Sequence, residues 1–275
     1  QLVMTATPIP RTLTMTLYAD MDVSVIDELP KGRQPITTHT AAQPKRPELI
    51  ERLRKILAQG QQAYWVCTLI EPSEEIEALS AEEAFDLLRQ ELPEFRVALL
   101  HGRMKGDEKV EVMRAFKAGE YQLLVATTVV EVGVDVPNAT QMFIENAERL
   151  GLAQLHQLRG RVGRGSKASR CFLLFKPGVS QAGQHRLNAL RQSQDGFYLA
   201  EQDLKLRGPG DILGTRQSGE QSFKIADLSE HAHLMPRVVQ RCETMMNAAP
   251  ASDDGIYLTG LLNTWAAADT AHLSV

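Results

Sequence analysis

The sequence predicts an α/β fold: a parallel sheet with helices on both faces, followed by a helical hairpin and C-terminal helices. Two patterns carry this. Short continuous apolar runs, the mark of strands buried on both faces, alternate with stretches of helical periodicity. Beyond Pro177 the apolar strands stop and helical stretches follow one another. With 275 residues, 43% of them hydrophobic and 23% charged, the chain can build one large or two ordinary cored domains.

Residues 47–57 (PELIERLRKIL) have helical periodicity and stop at Gly60. Residues 63–69 (AYWVCTL) read as a buried strand. Ser80-x-x-Glu83 reads as a capping box opening a helix through Leu92. Residues 97–100 form a strand. A helix over 107–117 places Val110, Met113 and Phe116 on one face and ends at Gly119. Strands follow at 123–126, 141–145 and 171–175. Helices are expected over 181–192, 197–206 and 226–246, with the glycine-rich loop RGPGDILGTRQSG over 207–219 between the last two. The stretch after Ala248 is weakly patterned and reads as a loose tail. Boundaries are placed near 178 and 222.

Thirty basic and thirty-four acidic residues leave a net charge of −4. That excludes a uniformly basic DNA-coating protein but not a local basic groove. The acidic stretch 71–94, with nine acids and one base, reads as a solvated face. Residues 149–170 carry six bases and no acid, interleaved with Gly160, Gly163 and Gly165. Arginines on glycine-framed backbone suit a phosphate or polyanion. The three cysteines stand far apart with no CxxC pair, which fits reduced thiols in a cytoplasmic protein rather than a zinc knuckle. No apolar run reaches the roughly 18 residues of a membrane helix. The chain starts at Gln1 inside a strand-like run, without initiator Met or leader pattern, so it is expected to be a fragment of something longer.

Three motifs stand in order. Thr5-Ala-Thr-Pro8 follows an apolar strand end. VATTVVEVGVDVP, over 125–137, follows a strand, where Thr hydroxyls and backbone N–H groups can meet phosphates. QLHQLRGRVGR, over 154–164, spaces Arg161 and Arg164 three apart. If locally helical, they share a face, and two guanidiniums on one face stabilise charge on a transferring phosphoryl group.

Together TATPIPRTL, LLHGRM, VATTVVEVGVDVPNA and QLHQLRGRVGRG resemble the second RecA-like motor lobe of superfamily 2 helicases. The run GFYLAEQDLKLRGPGDILGTRQSG resembles the translocation motif shared by the RecG family of branched-DNA helicases and the transcription-repair coupling factors, the Mfd family. WVCTLIE, RGPG and FKIADL are more similar to the RecG family. The resemblance extends to about residue 240.

It implies four stretches: 1–34 as the tail of a first motor lobe, 35–178 as the second lobe, 179–222 as a translocation hairpin and loop, and 223–275 as a helical segment. It implies that Arg161 and Arg164 reach the γ-phosphate of ATP, and that Gln157, Gly133 and Asp135 lie at the nucleotide. His101, Gly102, Arg103, Thr127 and Thr128 would meet the DNA backbone. Thr5, Thr7, Arg186 and Gln217 would couple nucleotide state to DNA movement. ATP and Mg²⁺ would be held chiefly by the first lobe, and the partners would be forks and Holliday junctions, gripped with help from an N-terminal wedge. No Gly-Lys dipeptide occurs, so the Gly-x-x-x-x-Gly-Lys phosphate cradle is absent and the isolated chain is expected not to hydrolyse ATP. Asp27-Glu28 follows TATP instead of preceding it and reads as ordinary strand-end acids. Neither His101 nor His156 has a companion at metal-ligand spacing. The rivals are the Mfd lobe, a catalytically silent docking module, and a small-molecule α/β enzyme. For the last, no nucleophile–base arrangement is found.

Overall fold

A computed structural model of the chain describes residues 24, 34–68, 74–127, 135–207 and 231–265. Six strands form one all-parallel sheet: β1 (Ile36–Ala42), β2 (Gln62–Cys67), β3 (Val97–Leu100), β4 (Leu123–Thr127), β5 (Ala139–Ile144) and β6 (Ser169–Phe175). Their order across the sheet is β1-β6-β5-β2-β4-β3. Parallel strands need crossovers, and helices supply them: α1 (Arg46–Leu57), α2 (Glu74–Glu91), α3 (Gly106–Lys117) and α4 (Leu152–Arg159). Two further helices, α5 (Gln181–Gln192) and α6 (Gly196–Arg207), pack on α4 and on each other, and α5 also lies on β1.

Alternation along each strand sorts the core into two layers. On one face α1 and α2 press Leu49, Ile50, Leu53, Leu88 and Leu92 onto Trp65, Val125, Phe143 and Phe172. On the other, α3 to α6 bring Met113, Phe116, Leu155, Leu187 and Leu199 onto Tyr64, Leu124, Met142 and Cys171. Leu53 and Phe116 are fully buried, each contributing about 1.5–3 kcal/mol of hydrophobic stabilisation.

Several elements depart from the periodicity reading. β1 (ITTHTAA) was not anticipated, because its threonines and histidine lack an apolar run; it is an edge strand, paired on one side only, with a mostly half-buried pattern. The helix read as starting at Ser80 begins at Glu74, which puts Ser80 inside α2 and not at its cap. Val110 is 63% exposed and does not share the buried face of Met113 and Phe116. Gly119 ends α3 as read, at φ +80°. The expected loose tail contains helix α8 (Asp253–Trp265).

Residues 231–265 belong to a second compact unit. There a 3-10 turn (Ala232–Leu234) leads into α7 (Met235–Met246), and α8 packs on α7. Arg241 forks onto both carboxylate oxygens of Asp254. No helix among the described residues is long and apolar enough to cross a membrane.

Candidate functional site

Because all strands run the same way, the sheet has a carboxyl edge and an amino edge, and the candidate residues divide between them. At the carboxyl edge, Leu100 of β3 pairs with Ala126 of β4, so His101 and Thr127 leave adjacent strands at one level. The backbone turns at once, with Met104 N–H donating to the His101 carbonyl at 3.2 Å. Lys109 Nζ donates to the Gly102 carbonyl at 2.6 Å, and Glu108 accepts from Lys105 N–H at 3.1 Å to open α3. This fixes the His101-Gly102-Arg103 turn and leaves Arg103 exposed. His101 Nε2 lies 3.8 Å from Glu82 Oε1, while its Nδ1 is buried with no hydrogen-bond partner among the described residues. Thr127 is 1% exposed, and its Oγ1 has no hydrogen-bond partner among the described residues. Both of those atoms are buried, so at this turn it is the exposed Arg103 that offers donors suited to a phosphate backbone.

Further along this edge, Glu145 and Asn146 follow the end of β5. Glu145 Oε1 accepts from Trp65 Nε1 at 2.7 Å and pairs with Arg46, and Thr68 Oγ1 donates to its carbonyl. Asn146 adopts φ +47°, a left-handed conformation that asparagine tolerates. In the next turn, the Glu148 carbonyl accepts from Arg186 Nη2 of α5 at 2.8 Å.

The arginine pair lies at the opposite, amino edge. α4 runs back from the carboxyl edge and stops at Arg159, so Arg161 and Arg164 are not on a helix and share no helical face. A turn holds them. Gly163 has φ +72°, and a β-carbon there would sit 2.7 Å from Ile36 Cγ1 at the start of β1. One built on Gly165 would meet the Pro137 carbonyl oxygen at 2.7 Å. Both positions therefore need glycine. Arg164 Nε donates to the Gly160 carbonyl at 3.2 Å, and its Nη1 lies 3.7 Å from Asp135 Oδ1. Arg161 is half-buried and has no ion pair among the described residues. Lys167 Nζ donates to Asn138 Oδ1 at 3.0 Å. Of these cations only Arg164 meets a carboxylate among the described residues, and at 3.7 Å that pairing is loose. Beneath them, burial pushes the Tyr64 hydroxyl up to about 12, against the opposing pull of Arg164 and Arg161. Gln157 lies exposed on α4, one turn before the pair.

Sequence reasoning missed Arg159. It is 2% exposed, and its Nη1 donates to the Leu190 and Ser193 carbonyls at 2.7 and 2.8 Å while its Nη2 lies 2.9 Å from His156 Nδ1. Burial lowers its pKa. The base of the arginine turn is thereby tied to the end of α5. In the sequence it is one of six bases in a run, and nothing marks it as the buried one. Thr5, Thr7, Thr128, Gly133 and Gln217 lie outside the described residues. No cluster of three metal-ligating side chains occurs among the described residues.

Two family models match different parts of the chain. The helicase conserved C-terminal domain matches residues 48–166, and domain 3, C-terminal, of the ATP-dependent DNA helicase RecG matches 193–258. The chain is 60% identical over 239 residues to the ATP-dependent DNA helicase RecG of Escherichia coli O157:H7, covering 86% of the chain and 34% of that protein. It is 50% identical over 228 residues to RecG of Bacillus subtilis, covering 82% and 33%. It thus spans about a third of the length of these curated relatives. A solved structure of RecG bound to a three-way DNA junction matches with TM-score 0.67 and 44% identity over 84% of the chain and 30% of that protein. These matches do not favour the Mfd alternative. With its RecA-like parallel sheet and two successive family matches, the chain belongs to the RecG family of ATP-dependent DNA helicases.

Proposed function

We propose that the chain supplies the second motor lobe of an ATP-driven double-stranded DNA translocase that remodels stalled forks and other branched DNA. The observation that supports this is the glycine-framed amino-edge turn, where Arg161 has no ion pair among the described residues and Arg164 meets Asp135 only at 3.7 Å. Cations so placed suit the phosphates of a nucleotide better than a structural salt bridge. The residues present fit ATP with Mg²⁺ in that respect, the rest of the site coming from a first lobe that holds the phosphate cradle. When bound, ATP supplies the phosphoryl-transfer energy. Arg161 and Arg164 meet charge on the γ-phosphate, and Gln157, Gly133 and Asp135 line the nucleotide. At the other edge His101, Gly102, Arg103, Thr127 and Thr128 hold the DNA backbone, reading shape rather than sequence. Thr5, Thr7, Arg186 and Gln217 couple the two. The division is residues 1–34 for the first lobe's tail, 35–178 for this lobe, 179–222 for the translocation hairpin and 223–275 for the helical segment. The setting is a bacterial cytoplasm, and an N-terminal wedge completes the grip on the branch. Without the phosphate cradle the chain alone is inactive.

The test is fork-stimulated ATP hydrolysis by the full-length protein, by its Arg164→Ala variant and by this chain alone. The chain is expected to be silent. The variant should keep ATP binding and lose about 10³-fold or more in rate, the scale of arginine fingers in other NTPases. Full rate in the variant, or turnover by the chain alone, would refute the assignment.

A further inference from the structure

Four rings stand in register across the sheet face covered by α1: His39 of β1, Phe172 of β6, Phe143 of β5 and Trp65 of β2. Successive centroids are 5.2, 4.9 and 4.9 Å apart, with interplanar angles of 19°, 12° and 16°. They form a stack running along the hydrogen-bonding direction of the sheet. At its inner end, Trp65 is fully buried and anchored by Glu145. At its outer end, His39 belongs to the edge strand, so among the described residues no strand lies beyond its second face. His39 is only partly buried.

The open end is basic. Arg52 is exposed, with Cζ 5.2 Å from the Phe172 centroid. Arg170 precedes Phe172 by two residues on the same face of β6 and pairs in register with Thr37. Neither guanidinium has a carboxylate within ion-pair range among the described residues. Burial, then Arg52 and Arg170, lower the pKa of His39, so its ring is uncharged at neutral pH and offers a π face. Beside Arg170 in register, Gln141 is 1% exposed and its Oε1 has no hydrogen-bond partner among the described residues.

We propose that the free face of His39 seats an unpaired DNA base as a fifth plate of the stack, with Arg52 and Arg170 on the adjoining phosphates. An acidic protein segment would use the guanidiniums but gain nothing from a ring stack opened at its end; a nucleotide uses both. This rests on the DNA-motor reading above and adds a contact that the motifs do not contain. β1 and β3 are opposite edges of the sheet, five strand spacings or about 24 Å apart. The seat is therefore separate from the turn after β3, and fits a strand peeled from the branch rather than the duplex being pulled.

The test uses the full-length protein, free of nucleotide, with a short oligothymidylate carrying a photoreactive 5-iodouracil. Affinity is expected to fall about tenfold in His39→Ala, with loss of the crosslink to β1. His39→Trp, which keeps a stacking plate, should restore both. In the double variant Arg52→Gln/Arg170→Gln, the slope of log affinity against log salt should fall by about 1.4, roughly 0.7 per phosphate contact. Duplex-stimulated ATPase should be unchanged throughout. Unaltered oligothymidylate binding by His39→Ala overturns the proposal. So does a natively folded His39→Trp that fails to rescue, or an equal loss of polyglutamate binding, which would assign the face to an acidic protein. A wild type that binds the oligonucleotide but shows no duplex-stimulated ATPase would sink the motor reading and leave the seat standing.

Discussion

Arg159 shows how much one buried side chain can organise. Its guanidinium closes the last turn of α4 onto two carbonyls at the end of α5, where helix-terminal carbonyls favour a cation. Replacing it with Met keeps bulk but leaves those acceptors buried and unpaired. Arg159→Met is expected to lose about 2–4 kcal/mol of stability, measured as a shift in urea midpoint at constant slope. His39 gives the pH counterpart. Its pKa in the fold lies below the 6.5 of a free histidine, chiefly through burial and then through Arg52 and Arg170. As pH falls through 6.5, the unfolded chain takes up the proton first, so the fold loses stability between 6.5 and the lowered value. His39→Phe should remove that component, and urea melts at about pH 7.5 and about pH 5.5 would differ less than in the wild type. Neither residue advertised its role in the sequence. Both sit among polar or basic neighbours, and only the packing of α5 and β6 against them decides the matter.

Among the elements, the turn between α4 and β6 is the most constrained. Arginine spacing suggested a shared helical face, yet the helix ends at Arg159 and Gly163 takes a left-handed conformation against Ile36. Gly163→Ala combines a disfavoured φ with a 2.7 Å contact to Ile36 Cγ1. The expected outcome is a stability loss of at least about 1–2 kcal/mol. In the full-length protein it should bring a lower kcat with intact DNA binding, since the clash displaces Arg161 and Arg164. A variant with native melting and native kcat would contradict this account. The regular elements were legible from periodicity where their faces are cleanly apolar: residues 97–100 and 181–192 match β3 and α5 at both ends. β1 was not, because an edge strand carrying Thr37, Thr38 and Thr40 has no apolar run to find. The start of α2 was misplaced because Ser80 and Glu83 imitate a cap inside a longer helix. α8 was hidden by a stretch with weak amphipathic contrast. The candidate residues were found by motif, while their division between two edges required the topology.

For the whole molecule, the buried thiols offer a check on the packing. Cys67 and Cys171 are buried, and burial raises both thiols, Cys171 to about 12. Cys242 is exposed on α7. One of the three cysteines should therefore react promptly with an aromatic disulfide reagent at neutral pH, and the other two only on unfolding. Prompt reaction of two or three would mean that the sheet is less closed than described.

The sheet's two edges have a mechanical consequence. Its strands are four to seven residues long, so about 13–23 Å of packed backbone separates the arginine turn from the loops after β3 and β4. No side chain reaches across. An event at one margin reaches the other only if the lobe tilts as a stiff beam, with the dense layers on either side resisting flexure. A mutation that softens the beam, even far from both margins, would then act like a slipping clutch: fuel is consumed, but the load is not carried.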